Sequence, residues 1–267
     1  MKNKFILFIA AILIFSSVQI LAMSQTPKVL NLSNLQNDVS TELSSMDSDL
    51  AEAAKQIAKT GLNSDATAKI LKKIYNDHKS IVDLVTIDPT GRLILIKPDK
   101  YKSSEGNLIS DQPHFTVIKE TKKPVLSNLF MTVEGFNAVS LAYPVASSNG
   151  TLIGFVSIVF QPFDLVRNIL KSYAPQEGTT VMVLQTDGRI LYDKDLLQVG
   201  KMTFSDPMYQ PFPSLIELAQ KIVEEPNGKG IYEFPAMEGK APVEKMTHWT
   251  TVSLHDTQWR LIVSTRR

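Results

Sequence analysis

The chain has 267 residues, enough for one large or two small domains, and its 43% hydrophobic and 21% charged content excludes wholesale disorder. The formal net charge is +1, which leaves no electrostatic footprint for nucleic acid, so no nucleic-acid partner is expected. Cysteine is absent, which removes disulfides, thiolate metal sites and a cysteine nucleophile together.

In chain order, residues 1–22 come first. Lys2 and Lys4 precede an almost wholly apolar run from Phe5 to Ala22, with small residues near its end. This is the layout of a secretory signal peptide, and an uncleaved membrane anchor is the alternative. Either one exports the chain beyond Ala22, so the expected location is secreted, periplasmic or extracellular. No second apolar run of spanning length is present, and neither a lipobox cysteine nor a cytoplasmic transmitter is recognisable.

Residues 27–79 read as a long helical segment. Leu32, Leu35, Val39, Leu43, Met46, Leu50, Ala54 and Ile57 recur at spacings of three and four, giving one apolar face. Gly61 to Asp65 interrupts the run, and Ser64 or Asp65 is placed to cap a second helix carrying Ala68, Leu71 and Ile74. The apolar face is either a packing surface or the seam of a homodimer.

The period then changes. Ile81 to Ile87 and Arg92 to Ile96 are β-rich and joined by Asp88-Pro89-Thr90-Gly91, which predicts a hairpin. Residues 112–123 are expected to be partly helical. Strands are predicted over 124–127, 138–145 and 152–160, the last two flanking Asn149-Gly150, a strong hairpin signal. The second half repeats this layout. Strand, Asp187-Gly188 turn and strand recur around Thr186 to Ile190, and a Ser-Asp pair lies 19 residues after Gly91 and 17 after Gly188. A helix over 214–224 and strands over 230–234, 247–254 and 259–265 complete it. Turn, Ser-Asp pair and terminal strands in one order indicate duplication. The predicted class is α+β: a long helical segment, then two antiparallel sheet-plus-helix modules at 80–174 and 175–267.

A long helix before two such modules resembles the double Cache family of PAS-like extracellular sensors. The residues that carry it are Ile87-Asp88-Pro89-Thr90-Gly91, Ser110-Asp111-Gln112-Pro113-His114-Phe115, Ser140-Leu141-Ala142-Tyr143-Pro144-Val145, Gly154-Phe155-Val156-Ser157-Ile158 and Gln258-Trp259-Arg260-Leu261-Ile262-Val263. The resemblance implies a five- or six-stranded antiparallel sheet per module, helices on one side, and a ligand in the membrane-distal module, here 80–174.

The family's pocket loop carries an Arg after its Ser-Asp pair, a group that forks a carboxylate bidentately. Here Gln112 stands in that place and brings hydrogen bonds without charge, while His114 replaces an aromatic residue. Asp111 is either a pocket residue or the cap of the next helix, and Phe115 a pocket wall or core residue. Ser127 and Phe130 match a Ser-x-x-Tyr contact, with the hydroxyl lost. Tyr143 sits on an inner strand. The family's acid after the Gly154 strand is missing, since Val159-Phe160-Gln161 stands there. With both charged ends unmatched, a free amino acid is disfavoured. An uncharged ligand or a small carboxylate, helped by Lys97, Tyr101 or Lys102, is expected instead.

Catalysis is not visible: the chain has no Gly-x-Ser-x-Gly elbow, no Gly-rich phosphate loop and no close histidine pair. His248 and His255 are seven apart without a third metal ligand. No cofactor or metal is expected. The leading expectation is an exported, non-enzymatic sensor without a transmitter of its own, which captures a small organic ligand and signals through a separate protein. The rival is an exported structural or interaction module with no ligand.

Overall fold

The computed structural model describes residues 27–235 and 241–267. The expected signal peptide or anchor at 1–22 lies outside the described residues. No described helix is long and apolar enough to cross a membrane.

The predicted helical segment forms α1 (Leu32–Thr60) and α2 (Asp65–Asp77), broken at Gly61. Asn31 caps α1 by accepting from the Asn34 backbone N–H, and Ser64 caps α2 by accepting from that of Thr67. Leu35, Val39, Leu43, Met46, Leu50 and Ile57 of α1 are almost completely buried. They lie against the chain's own sheets, so the stripe is an internal packing surface and not an exposed dimer seam.

The first sheet contains β1 (Ile81–Ile87), β2 (Leu93–Lys97), β3 (Val125–Leu126), β4 (Phe130–Met131), β5 (Asn137–Ala146) and β6 (Leu152–Phe160). Its order is β2-β1-β6-β5-β3, with β4 also on β5. A 3-10 turn (Asp99–Ser104) and α3 (Pro113–Thr121) come after the first hairpin. A helix that the sequence pattern did not predict, α4 (Pro162–Leu170), leads out of β6. The second sheet contains β7 (Thr179–Gln185), β8 (Ile190–Asp193), β9 (Gly228–Pro235), β10 (Pro242–Leu254) and β11 (Thr257–Arg266), with α5 (Pro213–Glu224) inserted. Helices α3, α4 and α5 each begin with a proline at the first turn, where its fixed φ suits a helix and its missing N–H costs nothing.

The second sheet runs β8-β7-β11-β10-β9, strand for strand the order of the first. The duplication extends to single hydrogen bonds. Gly91 and Gly188 both sit at φ 91–93°, a turn conformation that a side chain resists. The Arg92 and Arg189 side chains donate to the carbonyls of Gly106 and Gly200 at 2.8 and 3.0 Å.

Helices cover both faces of each sheet, not one. Leu84, Leu141, Val156 and Ile158 from the first sheet and Val183, Val252, Trp259 and Leu261 from the second share a core with α1. The opposite faces form separate cores, the first containing Phe115 and Ile118 of α3 and the second Leu215, Leu218 and Ile222 of α5. Burial of each large apolar side chain of α1 contributes about 1.5–3 kcal/mol.

The join between α2 and β1 carries His78, which is 5% exposed. Its Nδ1 lies 3.0 Å from Glu42 Oε1 and its Nε2 2.9 Å from Asp49 Oδ2, both on α1. The bond to Glu42 raises its pKa, burial opposes this, and Asp49 adds to the rise. An imidazolium donates from both nitrogens and so pins the join to α1.

Leu43→Ala should lower unfolding stability by about 2–5 kcal/mol in urea titrations, because the vacated volume lies between helix and sheets. His78→Ala should cost about 1–3 kcal/mol at pH 6. The folded pKa is raised, so this contribution is fully present below the unfolded value near 6.5 and is lost as pH rises through the folded one. The gap between variant and wild type should therefore shrink toward alkaline pH.

Candidate ligand-binding site

Side chains alternate across a strand, and residues opposite one another on neighbouring strands share a face. In the first sheet Asp83 pairs with Val159, and Val159 with Ser140. One step along, Val85 pairs with Ser157, and Ser157 with Ala142. These two rows face α3, away from α1. Asp83, Val85, Ser140, Ser157 and Val159 of these rows floor a cavity of about 30 Å³ whose walls come from Gln112 and His114 at the start of α3 and from Phe130, Thr132, Val133 and Glu134 around β4.

The second sheet explains why the cavity is in the first. By the same register, Thr180, Ser264 and Thr247 occupy the first row, and Met182, Ile262 and Trp249 the second. Where the first sheet has the small pair Ser157 and Ala142, the second has Ile262 and Trp249. These fill the equivalent space, and Trp249 is 1% exposed.

Asp83 is the most unusual group in the cavity. Its residue is 2% exposed, and Oδ1 is fully buried with no hydrogen-bond partner among the described residues. Burial pushes its carboxyl well above the usual carboxylate range. The charge of Glu134 pushes it further, and Lys100 opposes weakly. His114 is 8% exposed, and burial lowers it to about 4, so at neutral pH it is an uncharged imidazole. Its ring lies 4.5 Å from that of Phe130. Ser140 Oγ and Ser157 Oγ bond one another at 2.7 Å. Among the described residues, no lysine or arginine lines the cavity.

Of the seven residues expected at the site, Gln112, His114 and Phe130 meet here. Tyr143 does not: it is one residue out of phase with Ser140 and Ala142 and so faces α1, where its hydroxyl donates to Asp47 Oδ1 at 2.8 Å. Phe115 packs edge-on against Phe155 in the core at 5.3 Å and does not line the cavity. Ser127 accepts from the Ser140 N–H at 2.8 Å and donates to the Asn128 carbonyl, which places it behind the wall. Asp111 is exposed and caps nothing, because Gln112 holds the cap position without a side-chain bond. Lys97, Tyr101 and Lys102 are also outside the cavity lining.

Asp83 corrects a further expectation. The acid absent after the Gly154 strand is not the only carboxyl that can face a ligand amine, since β1 supplies one. A free amino acid is therefore no longer disfavoured at its amine end. The signal in the sequence was a lone charge among Ile81 to Ile87, two residues from Val85 and hence on the same buried face. Ser140, Ser157, Thr132 and Glu134 were also not singled out as contacts.

A second hollow of about 470 Å³ opens beside the first turn of α1, between Gln36, Lys229, His248 and Trp249. It is open to solvent, and no buried unpaired polar atom lines it among the described residues. His248 and His255 do not meet: His255 Nε2 bonds Asp47 Oδ1 at 2.8 Å. Among the described residues, no group of three or more His, Asp or Glu side chains is placed to hold a metal ion.

Comparison with known proteins bears on this arrangement. Residues 41–162 match the family model described as HK/GC/chemotaxis protein-like, sensor domain. An extracellular ligand binding receptor from Desulfohalobium retbaense is 31% identical with a TM-score of 0.75, over 88% of this chain and 39% of that one. The chain thus spans well under half of that receptor's length. The ligand-binding domain of Pseudomonas fluorescens chemoreceptor CtaA, solved with L-isoleucine, aligns at a TM-score of 0.61 and 16% identity, over 88% of this chain and 89% of that one. That of Pseudomonas aeruginosa amino acid chemoreceptor PctB, solved with L-Gln, gives 0.60 and 16%, over 88% of each. At such identity these two share the fold. No curated protein matches the sequence.

Asp83→Asn should make the free protein more stable at pH 7, by roughly 1–3 kcal/mol in urea unfolding, since an unpaired buried acid is removed. The folded pKa of Asp83 is raised, so the native state binds more protons than the unfolded one above about pH 4. Wild-type stability should therefore decline through that window as pH rises, and the variant should lack this decline.

Proposed function

We infer that this chain, which is similar to the Cache-type sensor domains of chemotaxis receptors and sensor kinases, binds a small molecule outside the cytoplasm in its first, membrane-distal module. The observation that carries this reading is the buried, unpaired carboxyl of Asp83 facing a polar cavity. An unpaired buried carboxyl lowers stability, and such groups concentrate where a protein handles a ligand or a proton. The relatives solved with L-isoleucine and L-Gln support ligand capture by this fold without naming the ligand of this chain.

The volume sets a condition. About 30 Å³ holds one water-sized group, far below the several hundred of a cavity that encloses a whole metabolite. A larger ligand enters only if the segment Phe130 to Glu134 moves outward. That segment is well placed to report occupancy. Leu129, beside Phe130, donates its N–H to Gln185 Oε1 of the second module at 2.9 Å, and Thr257 of that module bonds the Leu126 carbonyl. Displacing Phe130 therefore strains contacts with the second module, which passes the change to a signalling partner. The rival reading, an interaction module with no ligand, draws on the small volume. It leaves the orphaned carboxyl without a purpose.

A thermal-shift screen of small metabolites tests this, with Ser157→Ile as control. Ile262 shows that a branched residue is tolerated at the equivalent place. A compound at a hundredfold excess over its Kd should raise the wild-type Tm by roughly 5–10 °C. The shift should vanish in Ser157→Ile and fall in His114→Ala. A screen without a single shift, or shifts that survive Ser157→Ile, would reject the site.

A further inference from the structure

We propose that the edge strand β9 is a docking surface for a second copy of this chain, which adds its own β9 antiparallel about a two-fold axis at Ile231. This contact is independent of the ligand cavity.

Strand β9 lies at the edge of the second sheet, and its inner neighbour β10 shows which of its backbone groups are already used. The Glu244 carbonyl accepts from the Arg267 N–H on the β11 side at 3.1 Å. Bonding direction alternates along a strand, so Glu244, Met246 and His248 bond toward β11, and Lys245 and Thr247 toward β9. Glu244, Met246 and His248 lie opposite Glu233, Ile231 and Lys229. The N–H and C=O of these three β9 residues therefore point out of the sheet. The Glu233 N–H reaches Ser214 Oγ at 3.2 Å. Lys229 and Ile231 have no backbone partner on that side among the described residues. An open edge of this kind is a template for another strand.

The side chains at the same three positions select the strand. Ile231 is 42% exposed and stands between Lys229 and Glu233, both exposed. Charges on an edge ordinarily discourage pairing. Here each charge is poorly matched within its own protomer. Glu233 lies directly opposite Glu244, a like charge, and Glu244 is already paired with Arg267 at 2.9 Å. Lys229 lies opposite His248. Among the described residues, neither Lys229 nor Glu233 forms an ion pair.

A two-fold contact is self-complementary: where one residue meets another, the second meets the first in return. With Ile231 on the axis, Lys229 of each copy falls opposite Glu233 of the other. An axis at Lys229 or Glu233 would set like charges together, and one at Gly230 or Tyr232 would leave both charges without a counter-ion. The spacing Lys-x-Ile-x-Glu thus specifies one register. In that register the residues passing the start of α5 are Gly228 and Gly230 of the second copy, which present no side chain to it. The second sheets of the two copies become one, with Ile231 buried against itself.

The test is sedimentation velocity of the full chain over a concentration series. Wild type should dimerise, and high salt should weaken the dimer. Lys229→Glu and Glu233→Lys should each weaken it by roughly tenfold or more, because each sets like charges together at both symmetric contacts. The double variant should regain the dimer, since it restores opposite charges in exchanged places. Ile231→Pro should abolish the dimer and keep the native circular dichroism, because the N–H it removes serves no bond within the sheet. The chain has no cysteine, so Ile231→Cys gives a single thiol. Residues in a hydrogen-bonded antiparallel pair have Cα atoms about 5.5 Å apart, within disulfide range, so oxidation should link two copies. Leu196→Cys, at a residue 65% exposed, should not link them. A monomer at every concentration, a dimer that survives Ile231→Pro, a double variant that stays monomeric, or equal cross-linking through Leu196→Cys would overturn the proposal.

Discussion

Everything in this molecule hangs on one apolar stripe. Helix α1 is 29 residues long, and its buried side chains cover a face of each sheet in turn. Neither sheet could hide that face alone, because a half-covered sheet leaves an apolar surface in water. Two modules that the sequence repeats as separate units thus share one hydrophobic core built around a single helix. The polar side of the same helix reinforces the arrangement. Asp47 accepts from Tyr143 of the first sheet and from His255 in the β10–β11 turn of the second module, both at 2.8 Å, and Glu42 and Asp49 grip His78.

With one face of each sheet committed to α1, the opposite faces were free to diverge. In the second module that face is filled by Trp249 and Ile262 and closed by α5. In the first, Ala142 and Ser157 at the same register leave a gap under α3, and Asp83 points into it. Side-chain volume at these equivalent positions accounts for the difference. Loss of volume by itself would leave a dry void. A carboxyl at the floor makes the void polar, and the penalty of burying it is the kind of cost a protein retains at a working site.

The cavity lies beside a contact between the modules. Phe130 lines it, and the residues just before Phe130 are held by Gln185 and Thr257 of the second module. On the proposed reading, outward movement of Phe130 would reach that contact directly, because Leu129 is its neighbour in the chain.

The range of the forces involved decides how much was legible in the sequence. The hairpins, the helix caps and the repeat could be read from local chemistry: Asp88-Pro89-Thr90-Gly91 and Asp187-Gly188 turn because of their own backbone preferences, and Ser64 caps because of its own hydroxyl. Helix α4 escaped because nine residues with only Pro162, Leu165 and Val166 buried carry too short a period to stand out from the strand before them. Of the candidate cavity, Gln112, His114 and Phe130 were named through a motif and line it, whereas Phe115 and Tyr143 lie outside it, because a period of two assigns faces only once the first residue's face is known. Asp83 was overlooked for the converse reason. Whether a carboxyl is paired depends on what five separate segments bring around it, and that is decided by packing at long range, after the local elements have formed.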